Sequence, residues 1–286
     1  MFKRYYHCFI AGLYELGFDD GKNIVTLTDF RAELREILHP DDLDLTSIIF
    51  LPYDNSNLIR YMSGKRGEMD GLGNYTAQDF DDQIDRLGSI IKVEDLLPEY
   101  MVAVIRDWLA SEKSIDLLEA EKALIQGYYT LASKSGNRFL KRWTEYELDL
   151  NNILVLKNSM EMSLDASQQI IGTNELAEEL KIISRRKSDF RVPPEPDYAT
   201  QLFNIAGESE FLDREIKLDI AKWNYINDLI FFEYFTIDFI LGYMVKLGIA
   251  LRWKGLDQDT GERMLKRLVA ELKEGNGKKE DEEEVA

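Results

Sequence analysis

Apolar residues recur every three or four positions along most of the chain, which is the spacing of amphipathic α-helices. Prolines stand only at positions 40, 52, 98, 193, 194 and 196, so 99–192 and 197–286 can form uninterrupted helices. In the first stretch the turn signal Ser135-Gly136-Asn137 is followed by a second helical pattern over Phe139–Met160, which predicts a long antiparallel helical hairpin. The apolar positions of its first arm are Val104, Trp108, Ile115, Leu118, Ile125 and Tyr129.

The second stretch carries the longest periodic pattern in the sequence. Apolar residues step by threes and fours over Leu212–Met244, which predicts one very long helix, or two nearly collinear ones, over 198–254. Its most apolar part, Leu229–Leu251, is long enough to cross a bilayer, but it contains three charged residues. A central Asp or Lys costs about 2.5–3.5 kcal/mol in a membrane helix, so we interpret this part as a buried core helix. The charged residues are Glu233, Asp238 and Lys246.

The sequence before residue 98 predicts shorter elements. Thr28 can cap the start of a helix. That helix is predicted to end at Leu38, because the following His39-Pro40 pair disfavours its continuation. The apolar run Ile48–Leu51 is short enough to be an extended segment. Little else favours strands, so the sequence predicts a nearly all-α protein.

A short pattern recurs in the three thirds of the chain. Tyr53–Ile59 and Leu148–Leu154 both read apolar-Asp-x-x-Asn-apolar-apolar, whereas Phe235–Leu241 keeps the apolar frame and loses the Asp and Asn of those positions. Each copy is followed by a signal that opens a short helix by satisfying the unpaired amides of its first turn. We interpret this as a weak threefold repeat; chance similarity between helices rich in Asp and Asn is the alternative. The predicted caps are Thr76, Asp165 and Asp259.

Composition and charge narrow the class of function. Asp and Glu number 53 and Lys and Arg 35, which gives a formal net charge of −18 and disfavours binding to nucleic acid. Cys8 is the single cysteine, so neither an internal disulfide nor a zinc site of several cysteines can form. The N-terminal segment does not have the apolar run of a secretory signal, and we expect a cytoplasmic protein. The acidic segment 275–286 is predicted to be a disordered tail.

Patterns for catalysis or metal binding are incomplete. Glu36-x-x-His39 is half of a di-iron carboxylate motif, and the second half is missing. Gly64-Lys65 is followed by Arg66 instead of the Ser or Thr of a phosphate-binding loop. The sequence contains no pattern typical of a serine or cysteine nucleophile. We therefore expect no enzymatic activity, no cofactor and no metal site.

The polar members of the first two repeats are the candidate site. They have two interpretations: they bond to nearby backbone near a bend, or they contact a partner protein. The aromatic run Phe231–Phe235 covers too many directions for one buried stripe, so we expect most of it in the core and some of it against another lobe or a partner. The candidate site residues are Asp54, Asn57, Asp149 and Asn152.

The three copies of the repeat, with the capped helices that follow them, resemble the family of central-stalk C subunits of V/A-type rotary ATPases. These subunits are called d subunits in eukaryotes. Members carry three related helical lobes, each with a helix bearing an acidic-x-x-Asn-Leu type motif, a loop and a short capped helix. YDNSNLIRYMSGKRG with GLGNYTAQDF and YELDLNNILVLKNSM with TNELAEEL fit that arrangement, and the third copy fits it loosely. The chain is more similar still to an uncharacterised bacterial branch encoded beside V-type ATPase subunits. That closer similarity rests on Ile10–Leu13, Leu27–Phe30, Tyr53–Leu58 and Gly73–Thr76.

The resemblance implies three helical lobes in a funnel-like arrangement with long connecting helices. The lobes are expected at 1–98, 99–192 and 193–274. It also implies a noncatalytic central-stalk (rotor) subunit that couples the rotating shaft to the membrane proteolipid ring in ion transport. Its expected partners are the shaft subunits and that ring, and its expected location is the cytoplasmic face of the cell membrane. A cytoplasmic helical scaffold or adaptor with unrelated protein partners is the alternative.

Overall fold

The computed structural model describes residues 4–16, 25–89, 93–112, 116–162, 164–186 and 196–254. Within these residues the chain forms twelve α-helices and no strand, so the all-α prediction is confirmed. The helices are α1 (His7–Gly12), α2 (Leu27–Ile37), α3 (Pro40–Ile48), α4 (Leu51–Met62), α5 (Ala77–Gly88), α6 (Glu99–Ala110), α7 (Leu117–Ser133), α8 (Arg138–Glu161), α9 (Glu175–Arg186), α10 (Tyr198–Ala206), α11 (Phe211–Ile230) and α12 (Ile237–Lys254), with a short 3-10 helix at Arg66–Glu68.

Local capping signals set where the first helices begin. The side chain of Thr26 accepts a hydrogen bond from the backbone amide three residues later (3.1 Å), so the cap of α2 lies two residues before the predicted cap at Thr28. α3 starts at Pro40, and Nδ1 of His39 accepts a hydrogen bond from the backbone amide of Asp41 (3.3 Å). His39 therefore caps a helix, which is a structural role.

The apolar run between α3 and α4 is not extended, and that expectation is wrong. The Phe50 amide donates to the carbonyl of Ser47 (3.0 Å), and the Tyr53 amide donates to the carbonyl of Phe50 (2.9 Å). These bonds keep the connection in helical turns. Phe50 and Leu51 are both buried there, so helical geometry is sufficient to remove the run from water.

The first long stretch forms two helices before its turn. α6 ends at residue 110 and α7 begins at residue 117, and α7 packs mainly against α4 and α6. The predicted hairpin would pair the helix before the turn with α8. α7 instead makes its main contacts with α4 and α6. The predicted turn is present: Gly136 has a φ of 74°, and the side chain of Asn137 accepts a hydrogen bond from the Leu140 amide (2.8 Å) at the start of α8.

The second long stretch forms three helices, α10, α11 and α12, so the prediction of one helix or two collinear helices is wrong. α12 folds back along α11, and Nζ of Lys246 on α12 donates to Oδ1 of Asn227 on α11 (2.9 Å). The chain leaves helical geometry at 207–210 and 231–236. The hydrophobic periodicity continues across 231–236, so the sequence pattern does not reveal that break, whereas Gly207 and three polar residues mark the first one.

The chain divides into two compact units by its internal contacts. The first contains 1–38, 149–170 and 178–286, and the second contains 39–148 and 171–177. These limits do not coincide with the lobe boundaries expected at 98/99 and 192/193, and the three-lobed arrangement stays a prediction. The expected acidic tail, 275–286, lies outside the described residues.

The second unit is built around one apolar core supplied by α4, α5, α6 and α7. Tyr61 and Phe80 meet edge to face with ring centroids 5.4 Å apart, and Trp108 lies 6.2 Å from Tyr61. The buried apolar residues of this core are Leu51, Leu58, Tyr61, Met62, Phe80, Leu97, Met101, Val102, Val104, Ile105, Trp108, Ala120, Leu124, Tyr128 and Ala132.

The first unit packs α2 and α11 against α12, and α10 against α11. Phe30 of α2, which is buried, lies 5.2 Å from the ring of Tyr243 of α12. Gly242 allows close approach of α12 to α11, because a Cβ there would lie 2.7 Å from Cγ2 of Ile230. Within the described residues no helix has both the length and the apolarity that a membrane span requires.

Candidate functional site

Asp54 of α4 organises the loop that leads to α5. Its side chain is fully buried, and its Oδ1 accepts hydrogen bonds from the backbone amides of Asn74 (2.6 Å) and Tyr75 (3.0 Å). Its Oδ2 accepts a third from Nδ2 of Asn74 (2.6 Å). These three N–H donors take the place of water around the buried carboxylate, which offsets the cost of its burial.

Asn57, one helical turn after Asp54, holds the same loop from its other end. Its Oδ1 accepts from the Asp70 amide (2.6 Å), and its Nδ2 donates to the Asp70 carbonyl (2.9 Å). The loop lies so close to α4 that a Cβ at Gly73 would be 2.7 Å from both polar side chains. The Asp-x-x-Asn spacing places the two residues on one helix face, which is why both reach this loop.

The basic part of the loop is tied back to α5. Nη1 of Arg66 donates to Oδ2 of Asp81 (3.2 Å), and Nη2 donates to the hydroxyl of Tyr61 (2.9 Å). That hydroxyl in turn donates to Oδ1 of Asp81 (2.5 Å). Burial, followed by the hydrogen bond to Asp81, raises the pKa of Tyr61 to about 12. Arg66 is therefore paired within the unit, and its neighbour Lys65 is exposed.

Asn55, between the two motif residues, connects α4 to α6 and α7. Its Nδ2 donates to the carbonyl of Leu124 (3.3 Å), and its Oδ1 accepts from the hydroxyl of Tyr100 (2.9 Å). The Tyr100 ring crosses α7 at Gly127, where a Cβ would overlap the ring. Asn55 occupies one of the two variable positions between Asp and Asn in the motif, and the sequence pattern did not indicate its contacts with α6 and α7.

The second copy of the motif is buried like the first, but its Asp contacts a later helix. Asp149 and Asn152 of α8 are buried, and Oδ2 of Asp149 accepts a hydrogen bond from the hydroxyl of Tyr198 (2.7 Å). The predicted helix start at Asp165 is wrong, because that side chain accepts from the Ser167 amide (2.8 Å) in a turn.

The helix that follows the second motif is α9, and its cap is Asn174. The Oδ1 of Asn174 accepts a hydrogen bond from the Ala177 amide (3.0 Å). Helix, loop and capped helix therefore follow one another in both copies: Thr76 lies 22 positions after Asp54, and Asn174 lies 25 positions after Asp149. The third copy is described only in part, since its predicted cap at Asp259 lies outside the described residues.

The four predicted site residues share one property, which is burial. Their side chains are between 0% and 2% exposed, so they present no surface to a partner in this conformation. Among the described residues no group of three or more His, Cys, Asp or Glu side chains could hold a metal ion. The site residues are Asp54, Asn57, Asp149 and Asn152.

Three tyrosines of the second unit have raised pKa values. Burial, with a smaller contribution from the Asp54 carboxylate, raises the pKa of Tyr75 to about 12 and raises that of Tyr100 further. Burial likewise raises the pKa of Tyr128 well above its ordinary value. A raised folded-state pKa contributes stability that is fully present below the unfolded value of about 10 and is lost as pH rises through the folded value.

We therefore expect the free energy of unfolding of the second unit to fall as pH rises above about 10. Urea denaturation at a series of pH values, followed by circular dichroism, measures this. Tyr128→Phe removes one late-titrating hydroxyl and is expected to flatten the dependence. An equal slope in the wild-type and Tyr128→Phe proteins would contradict the assignment.

Two features of the first unit were missed by the sequence patterns. Asp219 of α11 is 1% exposed, contacts the guanidinium of Arg252 and accepts a hydrogen bond from Nε1 of Trp253 (2.6 Å). Partners 33 and 34 positions apart give no local signal.

The aromatic run between α11 and α12 is the second feature, and the expectation that most of it is in the core is wrong. The exposed fractions are 61% for Phe231, 79% for Phe232 and 61% for Tyr234.

Comparison with known proteins places the chain in a family. A family model described as a protein of unknown function, DUF2764, matches residues 1–276. The chain belongs to the DUF2764 family. No curated protein and no solved structure matches it. Both motif helices, both loops and all described helices of this DUF2764 protein lie within the matched range.

Proposed function

We propose that the protein is a noncatalytic central-stalk (rotor) subunit of a V-type ATPase, which couples the rotating shaft to the membrane proteolipid ring in ion transport. The observation that carries the proposal is the repeated construction of the two motif regions. In each, buried Asp and Asn side chains three residues apart on a helix are followed by a loop and a capped helix. That order of elements is the one on which the resemblance to the central-stalk family of rotary ATPases rests.

The packing supports a mechanical role. A protein that passes rotation between two partners must resist bending, and close-packed helices with interlocked side chains do so. Gly127 allows Tyr100 of α6 to contact the backbone of α7, and Gly242 allows Ile230 of α11 to contact the backbone of α12. Both contacts hold the paired helices close together. The buried polar contacts of Asp54 and Asp219 add directional bonds to these packed units.

The alternative is a cytoplasmic helical scaffold or adaptor with unrelated partners. The exposed aromatic side chains between α11 and α12 favour a protein that binds others, and they suit an adaptor as well as a rotor component. The identity of the bound proteins separates the two functions.

Affinity purification from the native organism tests the rotor function. The full chain, tagged at its chromosomal locus, is expected to co-purify with the shaft and proteolipid ring subunits from membranes solubilised in a mild detergent. Quantitative mass spectrometry should give near-stoichiometric recovery of those subunits, and a tagged unrelated acidic protein serves as the control. Repeated absence of the chain from an intact and otherwise complete ATPase would contradict the proposal.

A deletion strain gives an independent measurement. Loss of a coupling component is expected to abolish ATP-driven ion transport by membrane vesicles while the catalytic subunits still hydrolyse ATP. Restoring the full-length gene should restore transport. Unchanged transport in the deletion strain, together with recovery of partners that are not ATPase subunits, would support the adaptor instead.

A further inference from the structure

The turn between α11 and α12 has an inverted pattern of burial. Three of its aromatic side chains are 61% to 79% exposed, whereas its one carboxylate, Glu233, is 7% exposed. Aromatic side chains are usually buried and carboxylates usually exposed, so this arrangement opposes the hydrophobic effect. The exposed residues, called here the aromatic tip, are Phe231, Phe232 and Tyr234.

The turn is held in this conformation by its own hydrogen bonds. The Glu233 amide donates to the carbonyl of Ile230 (2.9 Å), and Oε2 of Glu233 accepts from the hydroxyl of Thr236 (3.1 Å). The N-terminal segment supports it, because the Tyr6 amide donates to the carbonyl of Phe235 (2.8 Å). The aromatic tip is therefore presented on a braced turn, which lowers the conformational entropy lost when a partner binds.

The net charge of the chain limits what can cover the aromatic tip. Asp228 is exposed one helical turn before the tip, whereas Glu233 and Asp238 are buried and Lys246 donates to Asn227 (2.9 Å). An anionic membrane surface attracts basic segments, so it disfavours a chain whose formal net charge is −18. A second copy of a chain with net charge −18 is also disfavoured, since like charges oppose association.

We propose that the aromatic tip is an anchor that inserts into an apolar pocket on another protein, and that Lys or Arg side chains border the pocket. Aromatic side chains carry most of the binding energy at many protein interfaces when they enter such pockets. Phe231 and Phe232 already form an edge-to-face pair with ring centroids 4.7 Å apart, so they present a fixed shape. Basic residues around the pocket complement Asp228, which is exposed beside the tip. The proposal does not depend on the rotor function.

Site-specific photo-crosslinking identifies the occupant. The full chain carries benzoylphenylalanine in place of Phe232 in the native organism, and the crosslinked peptides are sequenced by mass spectrometry. The same analogue at Phe211 is the matched control, because that side chain belongs to the same unit and is 67% exposed. The expected result is one protein that crosslinks from position 232 and not from position 211. Crosslinks to lipid, to a second copy of the chain, equally from both positions, or to nothing would overturn the proposal.

Binding to that purified protein then tests the chemistry. The triple variant F231S/F232S/Y234S is expected to lower affinity at least about tenfold, and F211S should leave it within about twofold. Raising NaCl from about 0.05 M to about 0.5 M should weaken binding by the wild-type chain, because the pocket border is basic. Circular dichroism melting shows whether each variant is folded. A folded triple variant with wild-type affinity, or binding that salt does not weaken, would overturn the proposal.

Discussion

Replacing Asp54 with alanine is expected to destabilise the second unit by about 3–5 kcal/mol. The substitution leaves three N–H groups without their acceptor, two from the Asn74 and Tyr75 backbone and one from the Asn74 side chain. A buried donor without a partner costs about 1–3 kcal/mol, and these three donors share one buried site. Urea denaturation followed by circular dichroism gives the free energy of unfolding.

Two further variants separate this effect from loss of charge alone. Asp54→Asn keeps an oxygen for the two backbone amides and loses the acceptor of the Asn74 side chain, so it should cost less than Asp54→Ala. Asp85→Ala removes an exposed carboxylate of α5 and should change stability by less than about 0.5 kcal/mol. Hydrogen exchange should show faster exchange of the Asn74 and Tyr75 amides in Asp54→Ala. Equal stability of the Asp54→Ala and Asp85→Ala proteins would show that the loop does not depend on this carboxylate.

Gly127→Ala is expected to destabilise the second unit by about 2–4 kcal/mol, although alanine favours helix by about 1 kcal/mol. A Cβ at position 127 would overlap Cβ, Cγ and Cδ2 of Tyr100. The Tyr100 ring cannot turn away freely, because its hydroxyl donates to Oδ1 of Asn55 (2.9 Å) and its own Cβ is part of the overlap. α6 and α7 must therefore move apart, which loosens the packed core between them.

Gly248→Ala on α12 is the matched control for that substitution. Its nearest neighbour would be Cδ1 of Leu27 at 3.7 Å, an ordinary van der Waals contact, so alanine should stabilise the protein by up to about 1 kcal/mol. Thermal and urea unfolding of the two variants should therefore change in opposite directions. A stabilised Gly127→Ala protein would show that Tyr100 does not pack on α7 as described.

Several local features of the fold could be predicted from the sequence because they depend on residues a few positions apart. The spacing of apolar residues predicted helices correctly almost throughout, and Thr76 was correctly identified as the cap of α5. The Asp-x-x-Asn spacing places Asp54 and Asn57 on one helix face, and both bond to the same loop. Where two nearby residues can serve as a cap, as at Thr26 and Thr28, the local pattern was insufficient.

The all-α class and the polar motif follow from the amino-acid sequence, since helical periodicity and the Asp-x-x-Asn spacing act within one or two turns. The break at 231–236 depends on tertiary packing, because no glycine or proline marks it and α12 gains its contacts by folding back on α11. The same folding brings Asp219 to Trp253, 34 positions away, and leaves Phe232 in water. Such contacts depend on which distant surfaces meet, and that information is spread over the whole chain.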